Sequence, residues 1–170
     1  MIYKKAFRIV FYFLLPVSIS ACAQSKKGTT QKTAQKYVKL IDAAQQVHLP
    51  GAPGMEPTTN YKFVVIWKNT TPPESFFWRG ADGWMACNIT KAKYLANTAN
   101  SFPYDQSYIQ AERIKQGDTL MLVPVRGSKE STPATISTTT KNTLFFKTTK
   151  TTWLSLPVNN IKNLPKEIGQ

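Results

Sequence analysis

The stretch SFFWRGADGWMACNI, Ser75 to Ile89, decides how the chain folds. Two aromatic-rich arms flank Gly80-Ala81-Asp82-Gly83. Glycine tolerates the positive φ that tight turns require, so the stretch predicts a β-hairpin. Alternation puts Phe76 and Trp78 on one face of the first arm and Phe77 on the other. On the return arm Trp84 and Ala86 oppose Met85 and Cys87. The short turn places Trp78 close to Trp84, which predicts a cross-strand aromatic pair.

A second stretch has the same character. NTLFFKTTKTTWLSLPV, Asn142 to Val158, is rich in Thr, Phe and Trp and predicts another hairpin. Phe145-Phe146 precedes Trp153 as Phe76-Phe77 precedes Trp84, with eight residues from the first Phe to the Trp in both. The two hairpins read as a pseudo-repeat in which each Trp opens a return strand.

Working outward, YKFVVIWKN, Tyr61 to Asn69, puts Tyr61, Phe63, Val65 and Trp67 on one face and Val64 and Ile66 on the other. A strand apolar on both faces belongs inside a sheet. Pro72-Pro73 should stop its pairing. TLMLVPVRG, Thr119 to Gly127, is a strand opened by a Gly117-Asp118 turn, and its Pro124 predicts an edge or a bulge. QKYVKLIDAAQQVHL, Gln35 to Leu49, fits two readings. Tyr37, Leu40, Ile41 and Ala44 make a helical stripe, whereas Tyr37, Lys39, Ile41 and Ala43 fit strand alternation less well. Residues 92–116 read as a long loop with a short strand or helix. About seven short strands separated by turn signals predict an all-β domain over residues 37–170, an immunoglobulin-like β-sandwich, with a small β-barrel as the alternative.

The N-terminus carries a different message. Lys4, Lys5 and Arg8 precede an apolar run from Ile9 to Val17, and small residues Ser18, Ser20 and Ala21 follow. This is the layout of a secretory signal peptide, and the run is short of the ~20 residues of a spanning helix. Ile19-Ser20-Ala21-Cys22 resembles a bacterial lipobox, in which Cys22 is acylated and becomes the new N-terminus. Residues 1–21 are then a lipoprotein signal peptide and Cys22 is the lipid-attachment site. The alternative is ordinary cleavage after Ala23, which leaves a soluble periplasmic or secreted protein starting at Gln24. Residues 22–36 are polar, small and basic, and read as a flexible tether. Ala23 stands where an Asp would resemble an inner-membrane retention signal, so the expected address is the outer membrane, facing the periplasm.

Charge and cysteine content narrow the function classes. The chain has a net charge of +13. Three of its 22 basic residues and none of its nine acids lie ahead of Cys22, which leaves +10 on the mature chain. The lysines are scattered and only Arg79, Arg113 and Arg126 follow the signal, so no clustered nucleic-acid footprint is present and no nucleic-acid partner is expected. With Cys22 acylated or removed, Cys87 is the one cysteine left, which excludes an intramolecular disulfide and predicts a small buried hydrophobe.

Ala44 to Val65, AQQVHLPGAPGMEPTTNYKFVV, resembles the opening of a set of small Bacteroidota cell-envelope lipoproteins. Gln45-Gln46, Gly51, Gly54 and Asn60-Tyr61 carry the match, and KQGDTLMLVP is similar to a strand start in the same set. This chain departs by having Pro50, Pro53 and Pro57 in the loop. The resemblance implies fold and location and carries no activity.

The residues offer little for catalysis. His48 is the one histidine, which excludes a two- or three-His metal site. A soft copper site from His48, Met85 and Cys87 lacks a second histidine, and no metal or other cofactor is expected. No Gly-x-Ser-x-Gly elbow and no phosphate-binding loop occurs. An acid pair drawn from Glu74, Asp82, Asp105, Glu112 and Asp118 would suit a glycan hydrolase, but these acids fall near predicted turns and strand ends. The richest feature is aromatic. Trp78 and Trp84 are the candidate ligand-binding residues if they form a flat exposed row that stacks on sugars. If buried, they are core. The residues therefore describe a non-catalytic, membrane-anchored envelope protein that binds a glycan or an envelope protein, with a carbohydrate-binding module and a hydrolase as the specific alternatives.

Overall fold

The computed structural model describes residues 33–95, 102–107, 113–127, 141–149, 151 and 153–169. The signal segment, Cys22 and most of the tether lie outside them, as does Glu112. The chain is all-β. A helical turn at residues 33–37 leads into β1 (Val38–Leu49), followed by β2 (Thr58–Trp67), β3 (Pro73–Gly80), β4 (Gly83–Tyr94), β5 (Tyr104–Ser107), β6 (Thr119–Val125), β7 (Thr143–Thr148), β8 (Leu154–Pro157) and two short pieces, β9 (Lys162–Asn163) and β10 (Glu167–Ile168). Ala34 is fully buried in the core, so the folded part begins ahead of Tyr37, inside the segment expected to be tether.

The described strands form one hydrogen-bonded sheet in the order β10-β1-β2-β6-β4-β3-β7-β8, with β5 on β4 and β9 on β1. The sheet curls so that its two halves face each other. Tyr61 and Phe63 of β2 pack on Trp78 of β3, and Trp67 of β2 meets Phe76 of β3 and Phe146 of β7 edge-on. The core lies inside this curl. β2 is an inner strand between β1 and β6, as its two apolar faces require. Tyr61, Phe63, Val65 and Trp67 face the main core, and Val64 joins a smaller cluster with Ala44 and Phe102 on the reverse face.

Local chemistry explains the departures from simple alternation. β1 is a strand with a bulge: Leu40 pairs with Val65 and Asp42 with Val64, which leaves Ile41 as the extra residue. The bulge shifts the side-chain phase by one. Val38 and Ala43 both face the main core, Ala44 faces the reverse side, and Ile41 is 39% exposed. Pro73, expected outside the sheet, opens β3 opposite Thr148, with a register shift before Ser75. Pro124 lies in β6 beyond the end of its ladder with β2, where its missing N–H costs no bond on that side.

The far edge of β1 carries the C-terminal segment. β9 and β10 run parallel to β1. The Leu164 and Gly169 amides donate to the carbonyls of Gln45 and Leu49, and Lys162 pairs with Asp42 at 2.9 Å.

Candidate functional site

The β3–β4 hairpin turns through Ala81-Asp82, with Gly80 paired to Gly83 and Gly83 at φ 105°. This register pairs Trp78 with Met85 and Arg79 with Trp84. Paired residues share a face, so Trp78 and Trp84 lie on opposite sides of the sheet. The expected Trp78–Trp84 pair therefore does not form. Trp78 is fully buried, with its ring centroid 4.6 Å from that of Phe63 and 5.4 Å from that of Tyr61. As a candidate ligand-binding residue it is corrected to a core residue.

Trp84 sits on the outer face, where a second apolar cluster is built. Phe77 of β3 pairs with Ala86 of β4 on one side and Phe145 of β7 on the other, and all three are buried. Trp84 and Trp153 cover them, both partly exposed. The Trp84 ring lies 4.9 Å from Phe145, and the Trp153 ring lies 5.4 Å from Phe77, edge to face. Each indole carries a cation. The Arg79 guanidinium is 5.6 Å over Trp84 and the Lys147 ammonium is 5.6 Å over Trp153. Lys147 also pairs with Glu74 at 2.8 Å. Trp153 was not among the predicted site residues. The signal that locates it is the shared Phe-Phe…Trp spacing. Phe76 stands opposite Phe146 and Phe77 opposite Phe145, and both return-strand tryptophans end on the same outer cluster.

Cys87 is half-buried against the core, on the same inner face as Met85. His48 lies elsewhere, near the end of β1, in a shallow groove with Met55, Glu56, Thr58 and Gly169. Its Nδ1 is 3.8 Å from Glu167. Among the described residues no three His, Cys, Asp or Glu side chains converge as a metal site, and no helix is long and apolar enough to cross a membrane.

The candidate acids Glu74, Asp82 and Asp118 each have a cation beside them. Glu74 pairs with Lys147, Asp82 with Arg126 at 2.7 Å, and Asp118 with Lys91 at 2.9 Å. Asp105 is exposed on β5, opposite Lys93. Burial raises the Asp118 carboxyl, but the Lys115 N–H that donates to it and the Lys91 ammonium outweigh burial and hold it below the ordinary aspartate value. Burial, with the Asp82 charge added, pushes the Tyr61 hydroxyl upward against the pull of Arg126.

The chain matches no protein-family model, no curated protein and no solved structure.

Proposed function

We propose that the chain is a lipid-anchored, non-catalytic binding module of the bacterial envelope, and that its outer aromatic face binds a glycan. One observation carries the reading: the outer side of the β4-β3-β7 region is aromatic, with two tryptophans left partly exposed over a Phe77–Phe145 pair. A solvated sheet face ordinarily alternates to polar residues. Here the central alternate positions hold Phe77, Trp84, Ala86 and Phe145, with Ser75, Arg79, Thr143 and Lys147 beside them. Indole faces of this kind suit the C–H faces of sugar rings, and their N–H edges supply a polar contact. The lipobox at Ile19 to Cys22 supports the anchor, and the outer membrane facing the periplasm is the proposed address.

Affinity electrophoresis through gels cast with neutral and acidic polysaccharides tests the binding reading. Retardation of the wild type by at least one polysaccharide, relieved by Trp153→Ala without unfolding, is the expected result. Uniform migration in every gel counts against it. The anchor is tested separately. Metabolic labelling with a fatty-acid probe should mark the wild type and not Cys22→Ser, and a wild-type N-terminus at Gln24 would refute acylation.

A further inference from the structure

The two cations over the outer tryptophans are not equivalent, and the ion pairs across the described residues show the difference. Among the described residues, Lys91, Arg126, Lys147 and Lys162 each have a carboxylate within ion-pair distance. Arg79 has none. Its guanidinium lies over the Trp84 ring beside the Gly83 turn, and its Nε is buried without a hydrogen-bond acceptor. A half-buried cation that keeps no counter-charge gives up solvation that only the indole face partly returns. The buried Nε is out of a ligand's reach, but the Nη groups of the half-exposed guanidinium are poised for an anion and can receive a carboxylate through two parallel bonds.

We infer that the ligand of this face is an acidic glycan, a chain of uronate sugars, whose carboxylate is received by Arg79 while its ring stacks on the tryptophans. The inference rests on the glycan reading above. Lys147 adds a second positive charge above Trp153, although Glu74 compensates it in the unliganded chain. The +10 charge of the mature chain attracts a polyanion from a distance and should make association depend on salt. A neutral sugar would leave Arg79 as it stands, so binding should discriminate in favour of the acid.

Isothermal titration of the mature chain with an oligogalacturonate, beside a neutral galacto-oligosaccharide of the same length, tests the assignment. The oligogalacturonate should bind more tightly than the neutral chain. Its affinity should fall at least about tenfold in Arg79→Gln, recover in part in Arg79→Lys, and weaken as salt rises. Equal binding of both probes, with no effect of Arg79→Gln, would overturn the acidic assignment and leave the glycan reading standing. Binding of neither probe would overturn the assignment as well, and the electrophoresis then decides the broader reading. If Arg79→Gln fails to fold, the salt series on the wild type decides: salt-independent affinity contradicts the inference.

Discussion

The rings of Phe63 and Trp78 lie 4.6 Å apart, centroid to centroid, although β6 and β4 stand between their strands in the sheet. Contact at that range between strands three places apart requires the sheet to curl over itself. Trp78 is therefore a joint between the two halves of the core, and Trp84, the residue next after the Gly80–Gly83 pair and on the other face, is a cover for the outer cluster.

The two tryptophans should differ accordingly when truncated. Trp78→Ala should cost about 3–5 kcal/mol, the usual loss for a buried large aromatic. Trp84→Ala should cost about 1–2 kcal/mol, because the ring is only partly buried. Denaturant midpoints at a common m-value measure both. Equal losses would mean that the outer cluster is as much core as the inner one.

Gly80 and Trp78 should be coupled. A Cβ placed on Gly80 would come within 2.5 Å of the Trp78 Nε1, and that nitrogen is buried without a hydrogen-bond partner. Gly80→Ala alone should be destabilising by about 1–3 kcal/mol through overpacking. Trp78→Phe removes the nitrogen, so Gly80→Ala should cost markedly less in that background. A double-mutant cycle reads the difference, and strict additivity would show that the clash is relieved elsewhere.

The β1 bulge makes a contrast between near neighbours. Ile41→Lys should change stability by no more than about 0.5 kcal/mol, because the side chain is 39% exposed. Ala43→Lys should be severely destabilising, because Ala43 is 2% exposed and faces the main core. Thermal melts of the two variants separate this strand from a helix, which would have placed Ile41 on the buried stripe.

That contrast also shows where the sequence was legible. Strands apolar on both faces, such as Tyr61 to Trp67, and hairpins marked by glycine could be read directly, because periodicity and turn chemistry are local. The β1 bulge could not. One inserted residue shifts the phase halfway along, so neither a period of two nor one of 3.6 fits throughout. The outer platform was half legible. Trp84 was identified as a candidate, but its partner was misassigned, because the sharing of a face depends on whether the turn holds an even or odd number of residues. Trp78 pairs with Met85 and so takes the core side. The shared Phe-Phe…Trp spacing marks Trp153 as the counterpart of Trp84, but that the two meet on one platform depends on the pairing of β3 with β7, a long-range register.

Asp118 gives the fold an acid limb. Its carboxyl accepts the Lys115 amide at 2.9 Å and the Lys91 ammonium at 2.9 Å, and it stands below the ordinary aspartate value. A depressed carboxylate contributes stability that is fully present above its unfolded value, and that contribution is lost as pH falls through the folded value. Asp118→Asn should therefore cost about 1 kcal/mol at neutral pH and much less in acid below the folded carboxyl's lowered value, where the wild-type group is protonated as well. Urea titrations at both pH values check it, and a cost independent of pH would remove Asp118 from the acid limb.

The most direct measurement of the central claim is acrylamide quenching of tryptophan fluorescence in the presence of sugar. Trp67 and Trp78 are fully buried and contribute a protected background, whereas Trp84 and Trp153 are partly exposed and supply the quenchable signal. Oligogalacturonate bound to the outer face should shield that signal in the wild type and fail to do so in Trp153→Ala, with the neutral galacto-oligosaccharide giving less protection. Quenching unchanged by either sugar would contradict the account of this face as a glycan-binding surface.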